Sequence, residues 1–234
     1  MTGWLASVTG VEEASMALAA GADIIDAKNP HAGALGALDG NTVEAIVAAV
    51  AGRVPVSATV GDFPDMDPGQ VLQAVAATGA TGVDYVKIGL FAAPWLDECL
   101  AALAPVAHQY RLVAVLFADR SPDFALLGRL ADSGFRGAML DTAGKTGGGL
   151  LEHQSMDRLK DFVTRARGLG LLCGLAGSLA RQDIPRLLPL APDYLGFRGA
   201  LCDSRVRTRG LSPQALEELA RAMSPVRAPA FAVS

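Results

Sequence analysis

Eight short apolar runs, each followed by a longer helix-like stretch, constrain how this 234-residue chain can fold. The runs are Trp4–Val8, Asp23–Ala27, Pro55–Val60, Tyr85–Ile88, Leu112–Leu116, Gly137–Leu140, Leu171–Leu175 and Tyr194–Phe197. Most are continuously apolar, as parallel strands covered on both faces must be. The stretches Val11–Ala20, Thr42–Ala51, Pro68–Thr78, Pro94–Gln109, Asp123–Ser133, Met156–Leu169 and Ala180–Leu188 alternate with them as helices. A last helix, Pro213–Met223, opens with proline at its first position and Ser212 as N-cap. Gly21, Gly79, Gly134 and Gly170 are placed to cap helices at their C-termini. This pattern predicts an α/β fold, a single (β/α)8 TIM barrel over residues 1–223, with a flexible Pro/Ala-rich tail over 224–234. A doubly wound open sheet is the alternative, but the first strand–helix junction, SVTGVEEA, lacks the GxGxxG fingerprint.

Composition narrows the function. A net charge of −4 offers no basic excess for a nucleic-acid backbone. No apolar run reaches the length of a membrane span, and the N-terminus lacks the pattern of a secretory signal. The expectation is a soluble cytoplasmic protein with a small-molecule partner, no nucleic acid and no membrane; a homo-oligomer is compatible with this reading. Cys99, Cys173 and Cys202, and His31, His108 and His153, have neither disulfide nor metal-ligand spacing, so neither metal nor cofactor is expected. The one basic cluster, Arg205, Arg207 and Arg209, reads as a solvated loop with at most a phosphate or carboxylate contact.

The chain uses four lysines against sixteen arginines, and three of the four fall at the ends of predicted strands. Lysine, unlike arginine, can lose its proton near neutral pH and attack a carbonyl. In the second strand, Asp26 and Lys28 project to the same side, with a long glycine-rich loop beyond them that suits a flexible wall over a ligand. The bland reading is a buried Asp–Lys pair that closes the barrel end. Lys87 in DYVKIG has apolar neighbours, and burial with a second lysine nearby would lower its pKa. Strands two and four share a layer of a small barrel, so Lys28 and Lys87 are expected to converge. Asp141 and Lys145 follow the sixth strand in LDTAGK, where the spacing excludes a Walker loop and an anion contact is the better reading. Asp119, after the fifth strand, is a weaker candidate of the same kind. Gly177 and Ser178 after the seventh strand, and Arg198 and Gly199 after the eighth, suit a phosphate site built from amides, a hydroxyl and a charged fork.

The segments GADIIDAKNP, VSATVGD, DYVKIGL, AMLDTAGK, EHQSMDRL, CGLAGSL and GFRGALC together resemble the (5-formylfuran-3-yl)methyl phosphate synthase family, in order along nearly the whole chain. The resemblance implies a (β/α)8 barrel of methanofuran-type cofactor biosynthesis. Such an enzyme condenses two molecules of glyceraldehyde 3-phosphate, releasing phosphate and water. It also implies that Lys28 forms the Schiff base and Lys87 accepts a proton, with Asp26, Asp141 and Lys145 around them. The carbon nucleophile so formed would attack a second aldehyde. The GS and RG loops would hold a triose phosphate. TGGG after Lys145 and the LFADR stretch depart from the family pattern and leave the second substrate's phosphate contacts open. Two other readings share these residues: a class I aldolase acting on another sugar phosphate, and a non-catalytic barrel that binds a phosphorylated metabolite.

Overall fold

The computed structural model describes residues 1–144 and 147–224. Lys145 and residues 225–234 of the predicted tail therefore lie outside the described residues. Eight strands close a parallel barrel: β1 (Gly3–Val8), β2 (Ile24–Ala27), β3 (Val56–Thr59), β4 (Tyr85–Leu90), β5 (Leu112–Phe117), β6 (Gly137–Asp141), β7 (Leu172–Leu175) and β8 (Tyr194–Phe197). All eight predicted runs are strands, with ends shifted by no more than two residues. The extension of β4 to Leu90 places Lys87 inside the strand and not at its end. Closure comes from β1 pairing with β8, in register Leu5↔Gly196 and Ala6↔Phe197.

The helices follow the predicted order, with an unpredicted turn of helix at Leu150–His153 and a late start at Leu126 in the stretch expected over 123–133; prolines account for the two largest departures. The stretch expected over 94–109 is a helix only over Leu96–Leu103. Pro105 has no N–H to give and starts a 3-10 turn, Ala104–Val106, before a last turn at Ala107–Tyr110. Pro185 and Pro189 likewise divide the stretch expected over 180–188 into short turns. Pro213–Met223 forms as predicted, with Ser212 Oγ accepting from the Ala215 amide. Gly21, Gly134 and Gly170 adopt positive φ beyond their helices. Gly79 does not: the helix Pro68–Ala80 runs through it, and Gly82, at φ 83°, takes the left-handed position. Gly79 is glycine because the Tyr110 ring lies against it, so that a β-carbon would fall 2.1 Å from Tyr110 Cδ1.

At the N-terminal end of the barrel, three aspartates precede strands and bind the opening amides of their neighbours. Asp23 accepts from Trp4 N, Asp84 from Val56 N and Asp193 from Cys173 N, at 2.7–2.9 Å. The seam between the first and last strands is fastened there by Thr2 Oγ1 donating to the Pro192 carbonyl. Below the mouth, the interior is filled by Leu5, Met139 and the buried ring of Tyr194, whose hydroxyl faces Met139 Sδ. Gly174 makes room for that ring: a β-carbon there would meet Tyr194 Cζ at 2.3 Å.

Gly79→Ala is expected to destabilise the fold by about 1–3 kcal/mol, because the Tyr110 ring must move to admit the methyl group. Gly128→Ala lies in the helix Leu126–Asp132 with open space around it and should stabilise by up to about 1 kcal/mol. Urea unfolding of both variants checks the contrast.

Candidate active site

The C-terminal mouth of the barrel holds a cavity of about 320 Å³, at the small end of ligand sites. Asp26, Lys28, Lys87, Asp141, Gly177, Ser178, Arg198 and Gly199, all expected from the sequence, line it.

Register explains the base of the site. Ser7, Asp26 and Ser57 are paired neighbours on β1, β2 and β3, so their side chains leave the sheet on the same side. Asp26 is wholly buried. Its Oδ2 accepts from Ser7 Oγ at 2.9 Å, and its Oδ1 from Ser57 Oγ at 2.6 Å and Lys87 Nζ at 2.9 Å. Burial, the largest influence, pushes this carboxyl up. Lys87, then Lys28 and the Ser57 hydroxyl, together hold it below its ordinary value. For Lys87, 2% exposed, burial acts first and pushes the ammonium below its ordinary value; Asp26 opposes this and Lys28 reinforces it. Lys28, one residue beyond β2, is 8% exposed and donates to Asp141 Oδ2 at 3.1 Å. Asp141 Oδ1 in turn accepts from the Thr142 amide. The lysines expected to converge do so, each against its own carboxylate, with Lys87 the deeper of the two.

Gly177 (φ 111°) turns the chain where Thr142 approaches, so that a β-carbon would lie 2.9 Å from Thr142 Cγ2. Ser178 follows in the left-handed region at φ 52° and stands exposed in the cavity wall. The loops after β7 and β8 lead into short 3-10 turns, Arg181–Asp183 and Gly199–Leu201.

Arg198 does not serve as the expected phosphate fork. Its five N–H donors meet five protein acceptors: both Glu13 oxygens and the carbonyls of Ser7, Arg207 and Arg209. It is a clamp joining β1, the first helix and the loop after β8. Burial pushes the Glu13 carboxyl up, but Arg198 and then Thr9 hold it below its ordinary value. Asp119 accepts from the amides of Ala143 and Gly144, and so anchors the backbone after β6. The glycine-rich loop after Lys28 is pinned and does not form the expected flexible wall. Asp62 accepts from the Ala34 and Leu35 amides, Thr59 donates to the Gly36 carbonyl, and Leu35 is fully buried.

Sequence reasoning missed Ser7, Ser57, Glu13 and Asp62. The two serines had a signal: each is a small hydroxyl residue at an inward position of a largely apolar strand. Burial pushes the thiols of all three cysteines up, those of Cys99 and Cys173 to about 11 and about 12, which disfavours their thiolate forms.

Fold and site together define a (β/α)8 barrel whose mouth holds a buried pair of lysines, each set on an aspartate. The chain matches the sequence profile of the 4-HFC-P synthase family over residues 4–220 and belongs to that family. A relative from Methylorubrum extorquens is 45% identical, the match covering 94% of this chain and 90% of the relative. The (5-formylfuran-3-yl)methyl phosphate synthase of Methanocaldococcus jannaschii is 38% identical, covering 88% of this chain and 92% of that one. Among solved structures, phosphoribosyl anthranilate isomerase from Thermus thermophilus superposes with a TM-score of 0.68 at 18% identity, covering 97% of this chain and 100% of that one. That likeness is one of fold. Family membership makes the chain an enzyme. Among the described residues, no helix is long and apolar enough to cross a membrane.

Glu13→Gln removes the counter-charge of a guanidinium whose side chain is 11% exposed. Stability should fall by about 3 kcal/mol, read by urea unfolding. Proteolysis within residues 199–210 should quicken, because the clamp holds that loop.

Proposed function

We propose that the enzyme joins two molecules of glyceraldehyde 3-phosphate into (5-formylfuran-3-yl)methyl phosphate through an imine on Lys28. The observation that supports this most is the buried set Lys28–Asp141 and Lys87–Asp26 in one small cavity. A binder of phosphorylated metabolites gains nothing from a lysine buried at 2% exposure, whereas a proton-transfer catalyst does. The two lysines divide the work by depth. Lys28, nearer the opening, reaches the substrate carbonyl; Lys87, its ammonium disfavoured by burial, supplies a free amine to take a proton.

Atom balance and product connectivity constrain the steps. Two trioses, together C6H14O12P2, become the product C6H7O6P by losing H3PO4 and two waters. Product connectivity joins C2 of one triose, which keeps its phosphate, to C3 of the other, which loses it. The bond therefore forms at C3 and not at the aldehyde carbon. With the first triose as the Lys28 imine, Lys87 removes its C2 proton and the electron pair forms an enamine. The second triose's C2 proton passes to the departing phosphate, and that C–H pair forms a C2–C3 double bond as the C3–O pair leaves with the phosphate. The enamine C2 adds to this C3, restoring the imine of the first triose, and the displaced pair takes a proton back from Lys87 at the second triose's C2. The second triose's C2 hydroxyl closes on the imine carbon, Lys28 departs, and loss of the remaining hydroxyl as water completes the aromatic ring. One of the two waters is released when the imine forms.

Borohydride reduction in the presence of glyceraldehyde 3-phosphate, followed by peptide mapping, should find a triose adduct on Lys28. Lys28→Arg should abolish both adduct and turnover, and retained turnover would overturn the assignment. Cleavage of a sugar phosphate without phosphate release would instead indicate an ordinary aldolase. Lys87 acts as a base only when deprotonated, so kcat/KM should rise with pH through its depressed pKa. Asp26 raises that pKa, so Asp26→Asn should shift the acid limb of the profile to lower pH. A shift to higher pH, or none, would remove Lys87 from the role of base.

A further inference from the structure

We infer that Arg207 binds the phosphate that leaves, on the second triose, which makes it the residue that admits a second phosphorylated substrate; this rests on the reading just given. Among the described residues lining the cavity, Lys28, Lys87 and Arg198 each pair with a carboxylate. Arg207 lines the same cavity, is partly buried, and makes one side-chain hydrogen bond among the described residues, from Nη2 to the Gly33 carbonyl at 3.2 Å. Its guanidinium thus reaches from the loop after β8 to the loop after β2, across the side of the mouth where Lys28 emerges. The remaining donors of its planar fork match phosphate oxygens.

The fold holds Arg207 in place. Arg198 grips its backbone by donating to the Arg207 carbonyl, and the Arg209 carbonyl is held by the same guanidinium. Cys202 and Leu211 pair across the base of the loop. On the far side, Asp62 fixes the turn that presents Gly33. An arginine with both of its approaches fixed and no ion pair among the described residues, with Asp141 and Asp62 acting on it only as nearby charges, is arranged to receive an anion from the cavity.

Two phosphates then have separate seats. The phosphate kept in the product lies on the amides and hydroxyl of Gly177, Ser178 and Gly199. The departing one meets Arg207, where the charge that collects as the C3–O bond breaks is opposed by a fixed cation. Arg205, exposed on the same rim, adds field without a comparable anchor.

The test uses the full chain and three readouts: turnover of glyceraldehyde 3-phosphate, borohydride trapping on Lys28, and calorimetric titration with inorganic phosphate. Arg207→Met should raise KM and lower kcat/KM by at least about tenfold. It should leave the yield of the Lys28 adduct unchanged and reduce bound phosphate from two per chain to one. Arg207→Lys should restore part of the turnover, since it returns the charge without the fork. Loss of trapping in step with turnover would place Arg207 on the first triose and overturn the inference. Unchanged turnover with unchanged phosphate stoichiometry would overturn it as well. If the wild-type chain traps no triose yet Arg207→Met still loses a bound phosphate, the imine reading fails and the anion seat stands.

Discussion

A single carboxylate, that of Asp26, carries the mouth of this barrel. It is fully buried, and a polar group there needs hydrogen-bond partners; the chain answers with the Lys87 amino group and two hydroxyls, drawn from three other strands. Because Ser7 and Ser57 reach it only in the observed pairing, a one-residue slip of β1 or β3 would turn its partner outward and leave the charge exposed to apolar surroundings. The same contacts that satisfy Asp26 fix where Lys87 stands. Structure and chemistry here are one network. Burial outweighs Asp26 and lowers the proton affinity of Lys87, while the contact with Asp26 fixes the place of its nitrogen.

Aspartates at the two ends of the barrel do different work, and position along the strand decides which. Asp23, Asp84 and Asp193 precede their strands and bind amides at the closed end, where the barrel needs only to be fastened. Asp26 and Asp141 come at the other end of strands β2 and β6 and meet lysines. Three residues of sequence separate Asp23 from Asp26, which is the length of strand between a purely architectural carboxylate and one that sets the proton affinity of its neighbours.

The fold was legible because its strands are short, apolar and bounded by helices of suitable length, a periodicity that tolerates error at the ends. Lys28, Lys87, Asp26 and Asp141 were legible because titratable residues in apolar strand ends stand out against their surroundings. Arg198 misled for a physical reason: an arginine in a glycine-rich strand-end loop has the composition of an anion site, and only the distant Glu13, 185 residues away, shows that its donors are already satisfied. Arg207 was unreadable for the converse reason. In sequence it is one of three alternating arginines on a polar loop, and nothing local distinguishes the one whose backbone is gripped. The pinning of the loop after Lys28 was hidden likewise, since its anchor, Asp62, belongs to the next strand–helix unit.

Closure of the barrel joins the first strand to the last, through Thr2 and Pro192 at one end and through Glu13, Ser7 and Arg198 at the other. During synthesis, a chain that has passed through its first seven strands already contains both lysines and both aspartates, yet it has an open edge at β1 and lacks the clamp over the mouth. Partial chains thus carry the reactive groups without the enclosure that directs them. The order of the sequence along the barrel delays a finished pocket until the last strand has left the ribosome, so that the lysines and aspartates gain the burial that sets their proton affinities only when β8 closes on β1.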